Sequence, residues 1–226
     1  MEDHSKIWCA SFDIGKKNFS FYVEEINVSY LQKIQDVDTK HRYNLNGTPT
    51  DDFDELLDKV FRDGKTILLE NVDITTNCEK GSYLDPETFH NMINVLDEHA
   101  SVWDKCSVFV IEKQMQFGQQ INPMAMKLGQ HCYSYFCFKY GRFKEIIEYP
   151  AYNKTQVLGA EKKQGKNGKF KSMDKPARKK WCIDKAIEIL NTRGEASTNE
   201  KIKASKKKDD LCDAFLQGAY YFEKNL

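Results

Sequence analysis

Short apolar runs of the kind that form β-strands dominate the first half of the chain. Residues 6–14 are apolar and β-prone, and residues 19–23 repeat this pattern after a short Gly-Lys-Lys-Asn turn, which predicts a β-hairpin. The continuous apolar run 107–111 predicts a buried strand that delivers Glu112 at its end. Further strand candidates, each rich in apolar residues, are 28–34, 66–72 and 144–149.

Helical patterns are concentrated later in the chain. Asp85 is a good capping residue and Pro86 suits the first helical position, so residues 86–102 are predicted to form a helix. Further helices are expected near 52–62 and at 121–140, 176–191 and about 208–222. A meander of strands followed by alternating helices and strands predicts an α/β fold, with a mixed β-sheet flanked by α-helices.

The composition fits one folded domain. At 226 residues with 40% apolar content, the chain can bury a core, and we expect a single domain over residues 1–226. Residues 36–65 are acidic and rich in turn formers, which indicates an insertion or a poorly packed excursion. Residues 159–175 are rich in glycine and lysine, which predicts a flexible basic loop.

The cysteines and the apolar runs indicate an intracellular protein. The seven cysteines are scattered and show no Cys-x-x-Cys spacing, so we expect reduced thiols in the core. No apolar stretch reaches the roughly 18 residues that a membrane span needs, and the acidic start does not resemble an export signal.

The formal net charge of zero hides an asymmetry. Residues 1–100 carry 10 Lys/Arg and 20 Asp/Glu, whereas residues 101–226 carry 24 and 14. The run from Lys162 to Lys180 suits a loop that binds phosphates, and an ordinary solvated loop is an equal alternative. A second basic cluster, residues 201–208, immediately precedes the last acids of interest. This recurrence favours a polyanionic substrate.

Four acids far apart in sequence each end or interrupt an apolar run: Asp13, Glu112, Asp210 and Asp213. A charge is costly to bury unless it is paired or holds a metal ion. Asp210 and Asp213 share one helix face, but Asp209 also has helical spacing to Asp213, so spacing does not choose between them. Capping of a helix N-terminus is the alternative explanation for these terminal acids.

Such a cluster suits phosphodiester hydrolysis by two metal ions. Two Mg²⁺ ions roughly 3.5–4 Å apart activate water and stabilise the leaving oxygen, and hard cations prefer oxygen ligands. Asp13 would bridge the two ions. Arg178, Lys179 and Lys180 at the start of the predicted basic helix are candidates for neutralising the charge on the phosphate, with simple phosphate anchoring an equal alternative.

Five short motifs occur in a fixed order along the chain. They are Phe-Asp-Ile-Gly-Lys-Lys-Asn at 12–18, Ile-Glu-Lys-Gln at 111–114, Tyr-Pro-x-x-x-Lys at 149–154, Arg-Lys-Lys at 178–180 and Lys-Lys-Asp-Asp-Leu-Cys-Asp-Ala-Phe at 207–215. This order resembles the RuvC-type Holliday junction resolvases, especially the poxvirus branch. The resemblance implies an RNase H-like fold, a homodimer, Mg²⁺ or Mn²⁺ as cofactor, and cleavage of four-way DNA junctions by paired symmetric nicks.

The resemblance also implies roles for individual residues. Asp13, Glu112, Asp210 and Asp213 become the metal carboxylates, and Lys180 becomes the active-site lysine. The basic residues expected to bind branched DNA are Lys16, Lys154, Lys163, Lys166, Lys169, Lys171, Arg178, Lys179, Lys207 and Lys208.

Two further features have both a functional and an ordinary reading. In the resembled family the dimer helix follows the strand that carries the glutamate, which corresponds to residues 121–140 here. Phe117 would wedge against unstacked bases at the crossover, although packing of this loop aromatic on the protein surface is the default interpretation. The large apolar residues of that helix suit either an interface or an ordinary core, and we assign them to the interface: Met124, Met126, Leu128, Tyr133, Phe136 and Phe138.

Other functions remain open at this stage. A nuclease of the same fold that cuts RNA–DNA hybrids, or a transposase-like enzyme, would use the same acids. An ATPase of the actin and sugar-kinase type needs a second Gly-rich phosphate loop and a second domain, which the sequence lacks. A non-catalytic nucleic-acid-binding scaffold would have no need of all four acids. The resemblance itself implies a large DNA virus, whose replication compartment lies in the host cytoplasm, and a role in resolving branched or concatemeric DNA.

Overall fold

A five-stranded mixed sheet forms the centre of the fold, as predicted. The computed structural model describes residues 6–114, 121–150, 154–165 and 167–224, with side chains described as far as Gly218. The strands are β1 (Lys6–Asp13), β2 (Phe19–Asn27), β3 (Lys65–Val72), β4 (Cys106–Lys113) and β5 (Glu145–Pro150), in the spatial order β3-β2-β1-β4-β5.

The directions of the strands determine where side chains gather. β1, β2 and β3 pair antiparallel, so the predicted hairpin of β1 and β2 is confirmed. β4 runs parallel to β1, and β5 runs parallel to β4. The carboxyl ends of β1, β4 and β5 therefore lie at one edge of the sheet, where binding sites of open α/β sheets are usually found.

Helices cover both faces of this sheet. The predictions at 52–62, 121–140, 176–191 and 208–222 are confirmed to within a few residues, whereas the helix predicted at 86–102 divides at His99. The helices are α1 (Val28–Asp36), α2 (Asp51–Arg62), α3 (Pro86–Glu98), α4 (Ala100–Trp103), α5 (Pro123–Tyr140), α6 (Lys154–Val157), α7 (Lys175–Thr192), α8 (Ala196–Ala204) and α9 (Lys208–Lys224), with a 3₁₀ turn at Thr39–His41.

The prediction of a strand at 28–34 is wrong, because this segment is helix α1. The Asn27 side chain accepts a hydrogen bond from the Ser29 N–H at 3.0 Å and caps the helix. Leu31 and Ile34, three residues apart on one helix face, are both buried. Capping and helical spacing therefore outweigh the β-branched content of the segment.

The segment 36–65 is not a poorly packed excursion. Its helix α2 buries Phe53, Leu57, Val60 and Phe61, which join the core cluster that also contains residues of α7 and α9. The acidic residues lie on the solvent side of this amphipathic helix, so the charge that suggested poor packing belongs to its outer face.

The sheet separates two apolar cores, and alternation along β1 assigns side chains to them. Ala10 and Phe12 belong to the core that packs under α3 and α5. Cys9 belongs to the core beneath α7 and α9, and Ser11 on the same face bonds to α9. Because successive strand residues point to opposite faces, Asp13 lies on the α9 face.

A buried ion pair ties α7 to the antiparallel half of the sheet. Arg193 at the end of α7 and Glu24 on β2 are 2.8 Å apart, with 2% and 3% of their side chains exposed. The same guanidinium donates to the Tyr22 hydroxyl at 2.9 Å and to the Phe61 carbonyl at 2.5 Å. These partners satisfy the buried cation, which would otherwise be very costly.

The remaining sequence predictions are met in part. The loop 159–175 contains a small antiparallel hairpin, β6 (Lys163–Gln164) with β7 (Phe170–Lys171). All seven cysteines are free; five are buried, as expected of core thiols, whereas Cys78 and Cys137 are partly exposed. Within the described ranges, the helices are all too short or too polar to cross a bilayer.

Candidate active site

Two of the predicted acids lie side by side at the edge where the parallel strands end. In the parallel pairing of β1 and β4, Phe12 is opposite Ile111, so Asp13 and Glu112 follow as neighbours. Val108 and Val110 of β4 belong to the core beneath α9, so alternation places Glu112 on that face as well. The strand register thus brings together two acids that are almost 100 residues apart in sequence.

This proximity changes the protonation of Asp13. Desolvation, the negative charge of Glu112 and a hydrogen bond with Glu112 together raise the pKa of the Asp13 carboxyl well above its ordinary value. The charge of Asp213 raises this pKa further, whereas Lys154 lowers it. Three carboxyls therefore share a space that contains more negative charge than one lysine can balance.

Lys154 is the cation at the centre of this cluster. Its Nζ lies 2.8 Å from Oδ1 of Asp213, and 6% of its side chain is exposed. Burial lowers the pKa of Lys154, but the attraction of Asp213, Glu112 and Asp13 outweighs burial and raises it above the ordinary value. The ammonium group therefore stays charged beside the acids. The sequence placed Lys154 among the DNA-binding residues, and the structure instead places it within the acidic site.

Helix α9 carries Asp213 into the site because it packs tightly on β1. The Ser11 hydroxyl donates to the Ala214 carbonyl at 2.7 Å, and the Gln217 amide donates to the Phe12 carbonyl at 3.3 Å. A Cβ at Gly218 would lie 3.3 Å from the Ser11 Oγ, so glycine permits this close approach. These buried contacts on either side of the Asp13 strand end fix the position of the helix.

The structure favours Asp210 over Asp209 as the next acid of the site. Asp209 forms an ion pair with Lys179, whose hydrogen bond and charge outweigh desolvation and lower the pKa of that carboxyl. Asp210 has no such partner among the described residues, and desolvation and the charge of Asp209 raise its pKa. Asp213 adds to this effect, so Asp210 and Asp213 lie near each other.

Lys180 does not approach the acids. It is exposed, and its ammonium group bonds to Asp184 one turn further along α7 at 2.5 Å. The resemblance predicted Lys180 as the active-site lysine, and this placement does not support that role. The rotation of α7 turns Lys179 towards Asp209 and Lys180 towards solvent. The Tyr-Pro-x-x-x-Lys motif, which begins with the last two residues of β5, is the signal that points to Lys154 instead.

The donor chemistry of the cluster fits divalent cations. Asp13, Glu112, Asp210 and Asp213 offer carboxylate oxygens, the ligands that Mg²⁺ prefers. Burial, and then the charge of Glu112, raise the pKa of Asp13, and a cation beside it would oppose both effects. Within the described part of the chain, no three acidic, His or Cys side chains already stand in a metal-holding arrangement. Lys154 bonds to Oδ1 of Asp213, and the second oxygen of this carboxylate keeps lone pairs that can bind a metal ion.

The predicted DNA-binding residues occupy three kinds of position. Lys16 donates to the carbonyls of Ser82 and Tyr83 and holds that loop. Arg178 lies in a cleft beside α6. Lys166 and Phe117 lie outside the described residues. The exposed members are Lys179 on α7 and five lysines on the β6–β7 hairpin and at the start of α9: Lys163, Lys169, Lys171, Lys207 and Lys208.

Helix α5, the predicted dimer helix, is partly a core helix. Leu128 and Phe136 are fully buried against the sheet of their own chain, so their assignment to an interface is wrong. Phe138 is 95% exposed. Met124 and Tyr133 pack at the margin of the core and remain partly exposed, as does Met126. The described part of the chain therefore leaves one side of α5 exposed, where a second protein molecule could bind.

Comparison with known proteins gives viral relatives that span most of the chain. "Uncharacterized protein 170L" of Invertebrate iridescent virus 6 is 34% identical over 247 aligned positions, which cover 96% of this chain and 92% of the relative. The chain belongs to the family of this iridescent virus protein. No family model matches the chain. Homologues of this protein are thus found in large DNA viruses.

Solved structures give the same fold. The Fowlpox virus resolvase, in its complex with substrate Holliday junction DNA, has a TM-score of 0.52 at 18% identity, covering 97% of this chain and 99% of that chain. The yeast mitochondrial Holliday junction resolvase Ydc2 has a TM-score of 0.51 at 12% identity, covering 95% and 78%. The predicted RNase H-like resolvase fold is therefore confirmed.

Proposed function

We propose that this protein is a metal-dependent endonuclease that resolves four-way DNA junctions by paired symmetric nicks. The observation that carries the proposal is the cluster of Asp13, Glu112 and Asp213 around Lys154, at the edge where the parallel strands end. The fold is shared with Holliday junction resolvases of a poxvirus and of yeast mitochondria. A structural role would not require a buried Asp13 beside two further acids whose charges raise its pKa.

The carboxyls of Asp13, Glu112, Asp210 and Asp213 would hold two Mg²⁺ or Mn²⁺ ions. Bound there, the ions would supply an activated water and a counter-charge for the leaving oxygen. Gln114 donates to Oε2 of Glu112 at 2.8 Å and orients that carboxylate. Lys179 holds Asp209, so α9 presents Asp210 and Asp213 rather than Asp209.

Lys154 is the positive group that we place beside the scissile phosphate. Its raised pKa keeps it protonated, so it can stabilise the negative charge that grows on the phosphate oxygens. The ion pair with Asp213 fixes the ammonium position before DNA arrives. Burial strengthens the effect, since a charge acts more strongly where water is excluded.

Paired nicks require two active sites, and we propose a homodimer with one site in each protomer. The exposed side of α5, including Phe138, supports this proposal as a contact surface. The start of α9 directly precedes Asp210, and the exposed lysines there and on the β6–β7 hairpin would bind the arms of the junction. In an infected cell, the substrate would be branched or concatemeric DNA in the cytoplasmic compartment where viral DNA replicates.

The decisive experiment compares cleavage of a synthetic mobile four-way junction, a linear duplex and an RNA–DNA hybrid, each with Mg²⁺ or with EDTA. We expect paired symmetric nicks in the junction alone, in the presence of Mg²⁺, and none with Asp13→Asn. Cleavage of the hybrid would instead indicate a ribonuclease H. Junction binding without a cut at any metal concentration would indicate a scaffold and contradict the proposal.

A further inference from the structure

A basic cleft lies next to the acids but separate from them. It has a volume of about 260 Å³ and lies between α6, the β6–β7 segment and the start of α7. Its polar lining consists of Thr155, Gln156, Lys162, Ser172 and Arg178. No described acid lines it, so the cleft combines two cations with two hydroxyls and an amide.

The two cations of this cleft lack acidic partners. Lys162 and Arg178 are each partly buried, and neither forms an ion pair with a described Asp or Glu. Asp174, the acid nearest to Arg178 in sequence, instead accepts a hydrogen bond from the Ala177 N–H at 2.9 Å and caps α7. Holding two partly buried cations together without a counter-ion is unfavourable. An anion in the cleft would remove this cost.

The lysine of the cleft is held in place by the loop 43–49. Its backbone N–H donates to the Asn46 carbonyl at 2.7 Å, and its aliphatic stem lies against Gly47, where a Cβ would be 3.2 Å from the Lys162 Cε. The same loop also bonds to α6 of this protein, since the Tyr43 hydroxyl donates to the Val157 carbonyl at 2.7 Å. The cleft is therefore a built feature rather than a chance gap between flexible lysines.

The position of the cleft relative to the acids follows from two adjacent residues. Lys154 bonds to Asp213 in the acidic cluster, while Thr155, the next residue, lines the cleft. Consecutive Cα atoms are about 3.8 Å apart. An anion in the cleft would therefore lie near the acidic cluster.

We infer that this cleft binds one backbone phosphate of the DNA strand that is cut, a nucleotide or more away from the scissile bond. Arg178 and Lys162 supply the charge, and Thr155 and Ser172 supply hydroxyl donors. The inference rests on the proposed function for the identity of the strand. Its effect is to fix the register of the strand over the acids, since phosphate contacts position a nucleic acid without reading its sequence.

The test measures binding rather than cleavage, with full-length Asp13→Asn protein and labelled four-way junctions in EDTA. In a series of junctions, a neutral methylphosphonate replaces one phosphodiester at a time near the crossover. We expect one position at which the replacement lowers affinity roughly tenfold, the loss expected for a charge-assisted contact. In Arg178→Gln or Lys162→Gln protein the same replacement should have no further effect.

A second readout tests whether both cations serve one phosphate. The double variant should reduce the magnitude of the slope of log affinity against log salt by about one, the value for one phosphate, and neither single variant should reduce it by more than that. A reduction of about two in the double variant would mean two separate phosphates and would overturn the single subsite. Lys59→Gln, which removes an exposed lysine paired with Glu55 on α2, is the matched control and should leave the slope unchanged.

The remaining outcomes separate this inference from the proposed function. If no methylphosphonate position depends on Arg178 and Lys162 while wild type nicks junctions, the cleft inference alone fails. If one position depends on them but wild type cuts no junction, the resolvase proposal fails and the phosphate subsite stands. Inorganic phosphate binding by calorimetry that is lost in Arg178→Gln, without any methylphosphonate effect, would assign the cleft to free phosphate and overturn the DNA assignment. Thermal melts of each variant verify folding.

Discussion

The Nζ of Lys154 lies 2.8 Å from Oδ1 of Asp213, although the two residues come from different helices at the edge of the sheet. This ion pair places a permanent positive charge among acids that repel one another. If it serves catalysis, Lys154→Met should lower the cleavage rate at saturating junction by about 100-fold or more, the usual cost of removing one charge-stabilising donor. Single-turnover gels measure this rate.

The neighbouring lysines provide the comparison. Lys180 is exposed and bonds to Asp184, so Lys180→Met should lower the rate much less than Lys154→Met. The reverse order would restore the role that the sequence motif assigned to Lys180. Circular dichroism melts check that Lys154→Met remains folded.

Asp13→Asn should abolish cleavage and preserve junction binding, since positive charge dominates affinity for DNA. Gel shifts in EDTA and cleavage in Mg²⁺ measure the two properties on the same protein. Loss of binding along with cleavage would contradict this division of labour between the acids and the basic surface.

The same substitution should stabilise the protein when metal is removed. The folded-state pKa of Asp13 is raised, so between its ordinary and raised values the folded chain binds more protons than the unfolded chain, and this group opposes folding more as pH rises. In EDTA, Asp13→Asn should therefore melt above wild type at pH 8, and the difference should shrink as the pH falls. A difference that grows at low pH would reverse the sign of the effect.

Divalent metal should counteract this repulsion in wild type. A ligand that binds only the folded state raises the free energy of unfolding by about 2.7 kcal/mol when its concentration is 100 times the dissociation constant. The melting temperature rises as a result. We expect millimolar Mg²⁺ to raise the melting temperature of wild type and to have much less effect on Asp13→Asn. Equal shifts in both proteins would place the ions elsewhere.

Arg193→Met should be severely destabilising. The substitution leaves Glu24 buried without its partner, and breaking a buried pair in this way costs about 3–5 kcal/mol. Glu70→Gln, which breaks the exposed pair with Lys201, should cost less than about 1 kcal/mol. Urea denaturation measures both, and similar losses would show that burial does not set the difference.

Thiol reactivity tests the burial of the cysteines. Five thiols are buried, and burial raises the pKa of Cys106, Cys182 and Cys212 to about 12. In native protein at pH 8, only Cys78 and Cys137 should therefore react rapidly with a disulfide reagent, and the other five thiols should react after the protein is unfolded in urea. More than two fast thiols in native protein would show that the two cores open readily.

The acids of the site could be predicted because each is a local signal. Asp13 and Glu112 end apolar runs, and the parallel pairing of their strands brings them together. The lysine could not be chosen in the same way. Arg178, Lys179 and Lys180 are consecutive cations, and only the packing of α7 decides which of them turns inward.

The strand predicted at 28–34 failed for a local reason, and the position of Lys154 depends on tertiary contacts. Val28–Asp36 has β-branched residues, but the Asn27 cap and the burial of one helix face decide for a helix. The burial of Lys154 depends on Asp213, which lies on a different element. A pattern within one segment does not contain this information, although the position of Lys154 just after β5 hints at it.

The packing of α9 on β1 has a consequence for how the protein is made. Asp13 belongs to the first strand, whereas Asp213 belongs to the last helix, and Ser11 and Gln217 bond the two elements together. A ribosome that has released β1 and β4 has therefore produced only part of the acidic cluster. Under the proposed function, a chain that stops short of α9 would have no means of cutting DNA, so the cell would never hold a partly made nuclease that is active.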